Sequence, residues 1–202
     1  MATQQIFRTI REQVVDRLRD DVINQVFKPG ESLREYTLSE RYGVSRSPIR
    51  DALLQLTQEG LLVATPNCGA KVGSPLDDEI QPLVLDLRIR IEVFALEQAV
   101  KSIEEKDIQE LESRLKDIFD ACQSKQLSDI IKSDMAFHQA IVELANNEKL
   151  VGIWKQVSGY MMLHYERHED WMESYGEHAA IFEAIKLGDK RAARDALKAN
   201  IR

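Results

Sequence analysis

Apolar side chains recur every three to four residues along the first quarter of the chain, a spacing that predicts helices. The first stripe has a four-residue step, at Ile6, Ile10, Val14, Leu18, Val22 and Val26. It predicts one buried helix face over residues 5–26, ended by Lys28-Pro29-Gly30. Thr37 and Glu40 have the spacing of a capping box, which predicts a second, short helix that ends at Gly43.

A third helix is predicted over residues 46–59, with Ser45 as its N-cap and Gly60 as its stop. Its inward positions have helical spacing and are all apolar: Ile49, Ala52, Leu53 and Leu56. Two strand-like runs follow at 61–64 and 70–72, and the Pro-Asn-x-Gly tip between them predicts a hairpin. Helix, helix, turn, helix and hairpin is the order of a winged helix-turn-helix.

A polar joint at 74–78 predicts a boundary between a first domain, 1–75, and a second, 76–202. No strand pattern follows the joint. Helical periodicity instead covers residues 78–101, 106–123, 127–146, 149–171, 176–187 and 189–202. Helix starts are predicted at Asp107, Ser128 and Asp189, and breaks near Lys125, Asn146-Asn147, Tyr175-Gly176 and Gly188. The fold class is therefore mainly α, a winged helix-turn-helix followed by an all-α antiparallel helical bundle.

Composition narrows the class of protein. The net charge of −7 is uneven, because residues 1–75 hold ten Lys/Arg against nine Asp/Glu, whereas residues 76–202 hold seventeen against twenty-five. Salt screens charges beyond about 8 Å, so an acidic body is compatible with local DNA binding. No apolar run approaches the ~20 residues of a membrane span, and the charged, amphipathic N-terminus is unlike a signal peptide. With only two cysteines, we expect a cytoplasmic protein without membrane contact or a disulfide framework.

Arg46, Ser47 and Arg50 share the outer face of the third helix, near its N-terminus. Two arginines one turn apart, beside a hydroxyl and a helix N-terminus, suit phosphate oxygens and guanine edges in a major groove. The alternative is an ordinary solvated helix face. The position of this helix in a helix-turn-helix with a wing favours the DNA-reading interpretation.

Residues 27–33, 38–53 and 59–62 together resemble the N-terminal signature of the GntR family of transcription regulators. The resemblance covers almost the whole first domain. It implies that Ser45, Arg46, Ser47 and Arg50 contact double-stranded operator DNA, and that a wing tip containing Asn67 and Gly69 enters the adjacent minor groove. Tyr36 and Cys68 stand where relatives often have basic residues, so we expect weaker contacts there.

The second domain resembles the FCD-type effector domain of the FadR subfamily. The resemblance rests on four motifs: Arg88-x-x-x-Glu92-x-x-Ala95, Asp134-x-x-Phe137-His138, Glu177-His178-x-x-Ile181 and Gly188-Asp189. It implies a homodimer whose helical domain binds a small organic acid and, in many relatives, a divalent metal held by one aspartate and three histidines.

Asp134 and His138 are four residues apart, so they share a helix face and could present an oxygen and a nitrogen to one ion. A hydrogen-bonded Asp–His pair is the alternative. By resemblance the other two ligands map to His178 and to position 200, where this chain has Asn200. An amide oxygen suits manganese better than zinc or nickel, so the metal stays open among these three. His164 and His168, also four apart, have charged neighbours and are interpreted as surface residues.

Arg88 lies on an otherwise apolar helix. By resemblance it is a candidate clamp for the carboxylate of the effector, a task that suits a guanidinium fork. An ion pair with Glu92, four residues away, is an equal alternative.

Together these patterns predict an effector-responsive transcription regulator, a repressor that binds a pseudo-palindromic operator as a dimer and is switched by a small organic acid. One alternative is a metal-dependent helical-bundle enzyme, but the sequence has no Glu-x-x-His pair, Ser/Cys–His constellation or phosphate loop. We expect no catalytic residues. Another alternative is an architectural DNA-binding protein without a ligand.

Overall fold

A computed structural model describes residues 8–65, 69–99, 103–163 and 170–201. The chain divides into two compact units, Met1–Pro75 and Leu76–Arg202. None of the described helices is both long enough and apolar enough to cross a lipid bilayer.

The first unit combines helices with a small sheet. Its elements are α1 Ile10–Ile23, β1 Ser32–Leu33, α2 Glu35–Tyr42, α3 Arg46–Gln58, β2 Leu62–Thr65 and β3 Gly69–Val72. The sheet is antiparallel in the order β1-β3-β2, with Leu33 opposite Ala70 and Leu62 opposite Val72. This arrangement confirms the predicted winged helix-turn-helix. β1 escaped prediction because two residues are too few to show an alternating pattern.

Helix α1 begins with a capping box that the sequence analysis did not identify. The Glu12 backbone N–H donates to Thr9 Oγ1 at 3.2 Å, and the Thr9 N–H donates to Glu12 Oε2 at 2.7 Å. The predicted helix over 5–26 is too long at its end, because the backbone turns left-handed at Gln25, where φ is 55°. Ile10 and Val26, predicted to be buried, are exposed; Ile6 lies outside the described residues.

The prediction that α2 begins at Thr37 with a capping box is wrong. Arg34 is the N-cap, and its carbonyl already accepts the first helical bond, from the Leu38 N–H at 3.1 Å. Because the chain leaves β1 directly into this helix, Thr37 lies within the first turn. Gly43 ends the helix at φ 67° and Ser45 is the N-cap of α3, both as predicted, although the Ser45 side chain makes no capping bond.

The second unit is helical throughout its described residues. Its helices are α4 Gln81–Ala99, α5 Glu105–Ser124, α6 Leu127–Glu143, α7 Glu148–Met162, α8 Trp171–Lys186 and α9 Lys190–Asn200. Apolar side chains of α4, α5, α6, α8 and α9 form one core around Phe137, Ile141 and Ile181. This confirms the predicted helical second half of the chain.

Two predicted breaks are misplaced. Helix α7 ends at Met162, so the single helix predicted over 149–171 is wrong. Tyr175-Gly176, predicted as a break, lies inside α8. Gly176 faces solvent, and a glycine inside a helix costs only about 1 kcal/mol relative to alanine. The buried side chains on the opposite face of α8 outweigh that cost.

The helix starts are partly as predicted. Asp189 caps α9, accepting from the N–H groups of Arg191 and Ala192, as its position predicted. The N-cap of α5 is Glu104 and not Asp107, which is the third residue of the helix. The Asp107 side chain accepts a hydrogen bond from the Glu104 backbone N–H at 2.9 Å. Ser128 is the second residue of α6 and is not its cap.

Candidate DNA-reading face and buried ligand centre

The inward face of α3 is apolar, and this fixes which side chains face out. Ile49, Ala52, Leu53 and Leu56 are buried, as predicted. Ser45, Arg46, Ser47 and Arg50 are therefore exposed together at the N-terminal end of the helix. The exposed set presents two guanidinium groups and two hydroxyl groups to solvent, which suits a nucleic-acid surface.

Two residues of α2 hold these arginines, and the sequence analysis did not identify this role. Glu35 accepts from Arg50 Nε at 3.0 Å and from a terminal nitrogen of the same guanidinium at 3.1 Å. These bonds from Arg50 lower the pKa of the Glu35 carboxyl. The guanidinium of Arg46 lies over the Tyr36 ring, 5.5 Å from its centroid. The Tyr36 ring thus packs against the guanidinium of Arg46, at a position where relatives often have a basic residue.

Gly69 begins β3 with φ at +90°. A side-chain carbon at this position would collide with the backbone carbonyl of Leu33 on the neighbouring strand. Glycine is therefore required here by the close approach of two backbones, whether or not the residue also contacts DNA. The other predicted wing-tip residue, Asn67, lies outside the described residues, as do Cys68, His164 and His168.

The predicted ligands Asp134, His138 and His178 come together in the second unit. All three are buried, and one ligand atom from each lies within 4.8 Å of those of the other two. His178 Nε2 is 3.1 Å from Asp134 Oδ1. Helix α6 supplies Asp134 and His138 from one face, and α8 supplies His178, so the site is built across two packed helices.

Each histidine is oriented through its Nδ1 atom. His138 Nδ1 lies 2.6 Å from Glu92 Oε2, and His178 Nδ1 lies 2.7 Å from the Ser174 carbonyl oxygen. A carboxylate and a carbonyl only accept hydrogen bonds, so each Nδ1 carries a proton. In a neutral His138 the lone pair is then on Nε2. His138 Nε2 has no hydrogen-bond partner among the described residues. This is the tautomer that a metal ion requires.

Glu92 is the hub of the buried centre. It also accepts from Arg88 Nε and from Trp154 Nε1, each at 2.7 Å. Burial opposes its charge, but the charge of Arg88 and the hydrogen bonds from His138 and Trp154 hold the pKa of Glu92 below its usual range. Burial also lowers the pKa of His138, which favours the neutral imidazole. His138 is therefore hydrogen-bonded to Glu92. The alternative, a hydrogen-bonded pair of Asp134 and His138, is not found among the described residues.

Arg88 is buried and makes an ion pair with Glu92, one of the two alternatives that the sequence left open for it. Its guanidinium also reaches toward the ligand cluster, with Nη2 3.8 Å from Asp134 Oδ2. Nη2 has no hydrogen-bond partner in the described part of the chain. One side of the guanidinium is thus held by Glu92, while Nη2 on the other side makes a long ion pair with Asp134 and no hydrogen bond to the residues described.

Asn200, the predicted fourth ligand, is buried on α9. Its Nδ2 donates to Glu177 Oε2 at 3.1 Å. Glu177 directly precedes His178, so this bond ties the end of α9 to the turn of α8 that carries a predicted ligand.

The donor set fits a divalent metal. Asp134 offers a carboxylate oxygen, and His138 and His178 each offer an imidazole nitrogen within 4.8 Å of the other ligand atoms. Zinc, nickel and manganese all accept such ligands, with the amide of Asn200 favouring the harder manganese. A bound ion would supply a local positive charge at the centre of the helical unit.

Only part of this support could be expected from the sequence. The four-residue spacing of Arg88 and Glu92 allowed their pair as one of two alternatives, but it did not indicate that Glu92 orients His138 on another helix. Trp154 had no signal, because its contact with Glu92 spans 62 residues of the chain.

Comparison with known proteins assigns both units. Residues 10–72 match the bacterial regulatory proteins of the gntR family, and residues 83–202 match the FCD domain. The chain is 29% identical over 187 residues to the HTH-type transcriptional regulator YdhC of Bacillus subtilis (strain 168), covering 90% of this chain and 83% of that one. It is 24% identical over 197 residues to the gluconate operon transcriptional repressor of the same organism, covering 93% and 80%.

Solved structures show the same fold. McbR/YncC of E. coli superposes with a TM-score of 0.76 at 23% identity, over 96% of this chain and 94% of that one. A GntR transcriptional regulator from Rhodococcus sp. RHA1 superposes with a TM-score of 0.71 at 21% identity, over 95% and 93%.

Proposed function

Since the chain belongs to the gntR family of bacterial regulatory proteins and carries an FCD domain, we propose that it is an effector-responsive repressor that binds a pseudo-palindromic operator as a homodimer. The observation that carries the proposal is the pairing of an exposed arginine face on α3 with a buried polar centre in the second unit. The family identifies a transcriptional regulator and not an enzyme. The protein acts in the cytoplasm, where operator DNA lies.

The DNA contact is made by the N-terminal end of α3 in the major groove. Arg46 and Arg50 contact guanine edges or phosphates there, and Ser45 and Ser47 contact phosphates. Glu35 fixes the guanidinium plane of Arg50 before DNA arrives, which lowers the entropic cost of binding. The wing, with Asn67 and Gly69, enters the adjacent minor groove.

Dimerisation uses the exposed side of α4. Leu83, Leu87 and Phe94 are 59%, 41% and 50% exposed, and their spacing places them on one helix face. A second copy of the chain is the occupant that we propose, because a helix-turn-helix regulator that reads an inverted repeat must itself have two-fold symmetry.

Asp134, His138 and His178 hold a divalent metal, with Asn200 as a weaker fourth donor. Support comes from the oriented Nε2 atoms and the burial of all three side chains. The metal is zinc, nickel or manganese. Its role is to bind the effector together with Arg88 and to stabilise the helical unit.

The effector is a small organic acid whose carboxylate binds the open side of the Arg88 guanidinium. A buried donor that lacks a partner gains a charge-assisted hydrogen bond when the acid enters. Binding favours one arrangement of the helical unit, and the dimer releases or rearranges on its operator.

The test combines DNA binding with a panel of mono- and dicarboxylic acids, including gluconate because one relative is a gluconate operon repressor. At least one acid should weaken operator binding by the wild type. Arg88→Met keeps the length of the side chain but removes the fork, so it should lose this response. It also leaves Glu92 without its buried ion-pair partner and should lower the folding stability, so its operator binding is measured at a temperature at which circular dichroism shows the variant to be folded. An architectural protein would bind DNA identically with and without every acid.

A further inference from the structure

Ser158 is a buried hydroxyl with an unusual lack of partners. It lies in α7, is 1% exposed, and its Oγ has no hydrogen-bond partner within the described ranges. Two other helical hydroxyls bond to the backbone of their own helix: Ser133 Oγ donates to the Ile130 carbonyl at 3.0 Å, and Thr57 Oγ1 donates to the Leu53 carbonyl at 2.7 Å. Such backbone bonding is the ordinary solution for a hydroxyl in a helix, and Ser158 does not use it.

The position of Ser158 on α7 places it against the buried centre. Trp154, one turn earlier, donates to Glu92, and Met161, nearly one turn later, meets Arg88 Nη1 through its sulfur at 3.8 Å. Residues at this spacing share a helix face. Ser158 therefore lies between two side chains that both contact the Arg88–Glu92 pair.

Two buried polar groups thus lack a hydrogen-bond partner on two helices that pack together, the Arg88 Nη2 donor on α4, which has only a long ion pair with Asp134, and the Ser158 hydroxyl on α7. Leaving either group unpaired in the interior costs stability. A ligand that satisfies both must carry an anionic group for the guanidinium and, a few atoms away, an oxygen that can exchange a hydrogen bond with a hydroxyl.

We propose that Ser158 is a specificity-determining residue of the effector site, and that it selects small carboxylic acids with a hydroxyl or keto oxygen next to the carboxylate. This inference rests on the proposed effector role of Arg88. The carboxylate binds Arg88 and the adjacent oxygen binds Ser158 Oγ. Acids of the same size without that oxygen bind Arg88 but leave the hydroxyl unpaired.

The experiment measures the affinities of lactate, as both enantiomers, and of propionate by calorimetry on the full-length, metal-loaded protein. These acids have the same carbon skeleton and differ in one hydroxyl. One net hydrogen bond predicts that one lactate enantiomer binds about 3- to 10-fold more tightly than propionate. In Ser158→Ala this preference should disappear while propionate affinity is unchanged. Ser133→Ala is the matched control, since its hydroxyl is also buried but already bonded, and it should keep the preference.

Three results would overturn the assignment: equal binding of lactate and propionate by the wild type, an undiminished preference in Ser158→Ala, or binding of neither acid. The last would also remove the proposed class of effector. A fourth result would overturn it together with the proposed function: if both acids bind but Arg88→Met binds them as tightly, Arg88 does not hold the carboxylate, and the role of Ser158 beside it is wrong as well.

A readout without ligand adds a second check. Since Ser158 Oγ gives up no bond in the free protein, Ser158→Ala should leave the melting temperature unchanged or slightly higher. A clear fall would mean that the hydroxyl has a structural partner in the free protein, such as a bound water, and would contradict the proposal.

Discussion

The two units of this protein each hold arginine in an ion pair, under opposite conditions. Arg50 on α3 has 71% of its side chain exposed and pairs with Glu35 at 3.0 Å. Arg88 on α4 is 2% exposed by the same measure and pairs with Glu92 at 2.7 Å. An exposed pair contributes little to folding, so its arginine is available for another partner. A buried pair is costly to disturb and can tie a ligand to the stability of the whole unit.

This contrast matches the two tasks of a regulator. The exposed face of α3 binds DNA, which is highly charged. The arginines there contribute to DNA affinity but little to the free energy of unfolding. In the function that we propose, the buried centre senses a small molecule, and its polar groups are removed from water and bonded to one another. Substitutions in the two regions should therefore separate into those that change binding alone and those that change binding and stability together.

The largest expected effect is at Glu92. Glu92→Gln removes the charge that offsets Arg88 and the acceptor that orients His138, which should cost about 3–5 kcal/mol of unfolding free energy. Asp86→Asn is the matched control, because Asp86 pairs with Arg90 at the same four-residue spacing on the same helix, in solvent. It should cost at most about 1 kcal/mol. Chemical denaturation of both variants would refute the contrast if their losses were similar.

Metal binding gives the next effect. The wild type should retain a divalent metal after purification, at partial occupancy, and lose it to a chelator. At a metal concentration 100 times its Kd, bound ion stabilises the folded state by about 2.7 kcal/mol, so His138→Ala should remove both the metal and this gain. Asn200→His should tighten binding by adding an imidazole. Elemental analysis and melting curves with and without chelator decide the matter: a metal-free wild type that gains nothing from Asn200→His would exclude the site.

A comparable effect is expected in the wing. Gly69→Ala should cost about 2–3 kcal/mol, since the new carbon meets the Leu33 carbonyl at a left-handed φ. Gly43→Ala also has a left-handed φ but open space around it, and should cost about 1 kcal/mol. Denaturation of the two variants measures the difference. Equal losses would show that the collision is relieved cheaply and that Gly69 is not held by its backbone contact.

The exposed face should respond through DNA affinity alone. Arg46→Ala and Arg50→Ala should each weaken specific operator binding by about 1–3 kcal/mol. Their unfolding free energies should change by no more than about 0.5 kcal/mol, because both side chains point away from Ile49 and Leu53. Gel-shift titrations beside denaturation curves test this. If both variants bind operator DNA with wild-type affinity, the proposal that α3 lies in the major groove is wrong.

The sequence predicted the repeating parts of this molecule better than its exceptions. The spacing of Ile49, Leu53 and Leu56 predicted the buried face of α3. It also predicted that the arginines are exposed, because the helical period of 3.6 residues places them on the opposite face. The spacing of Asp134 and His138 likewise predicted a shared face. The contact of His138 with Glu92 could not be predicted, because residues 46 positions apart form no local sequence pattern. The start of α2 was misjudged because a good capping pair, Thr37 and Glu40, competed with the tertiary constraint of strand β1.

The most direct test of the proposed function is selection from random-sequence duplex DNA with both units of the protein present, with and without the acid that proves active in the panel. If the protein binds as a two-fold symmetric dimer, the selection should enrich an inverted repeat whose half-sites are centred about 10 base pairs, or a multiple of this, apart. We also predict that the acid weakens binding to the selected DNA by the wild type but not by Arg88→Met. Enrichment of no sequence, or of a site whose binding no acid alters, would contradict the proposed function.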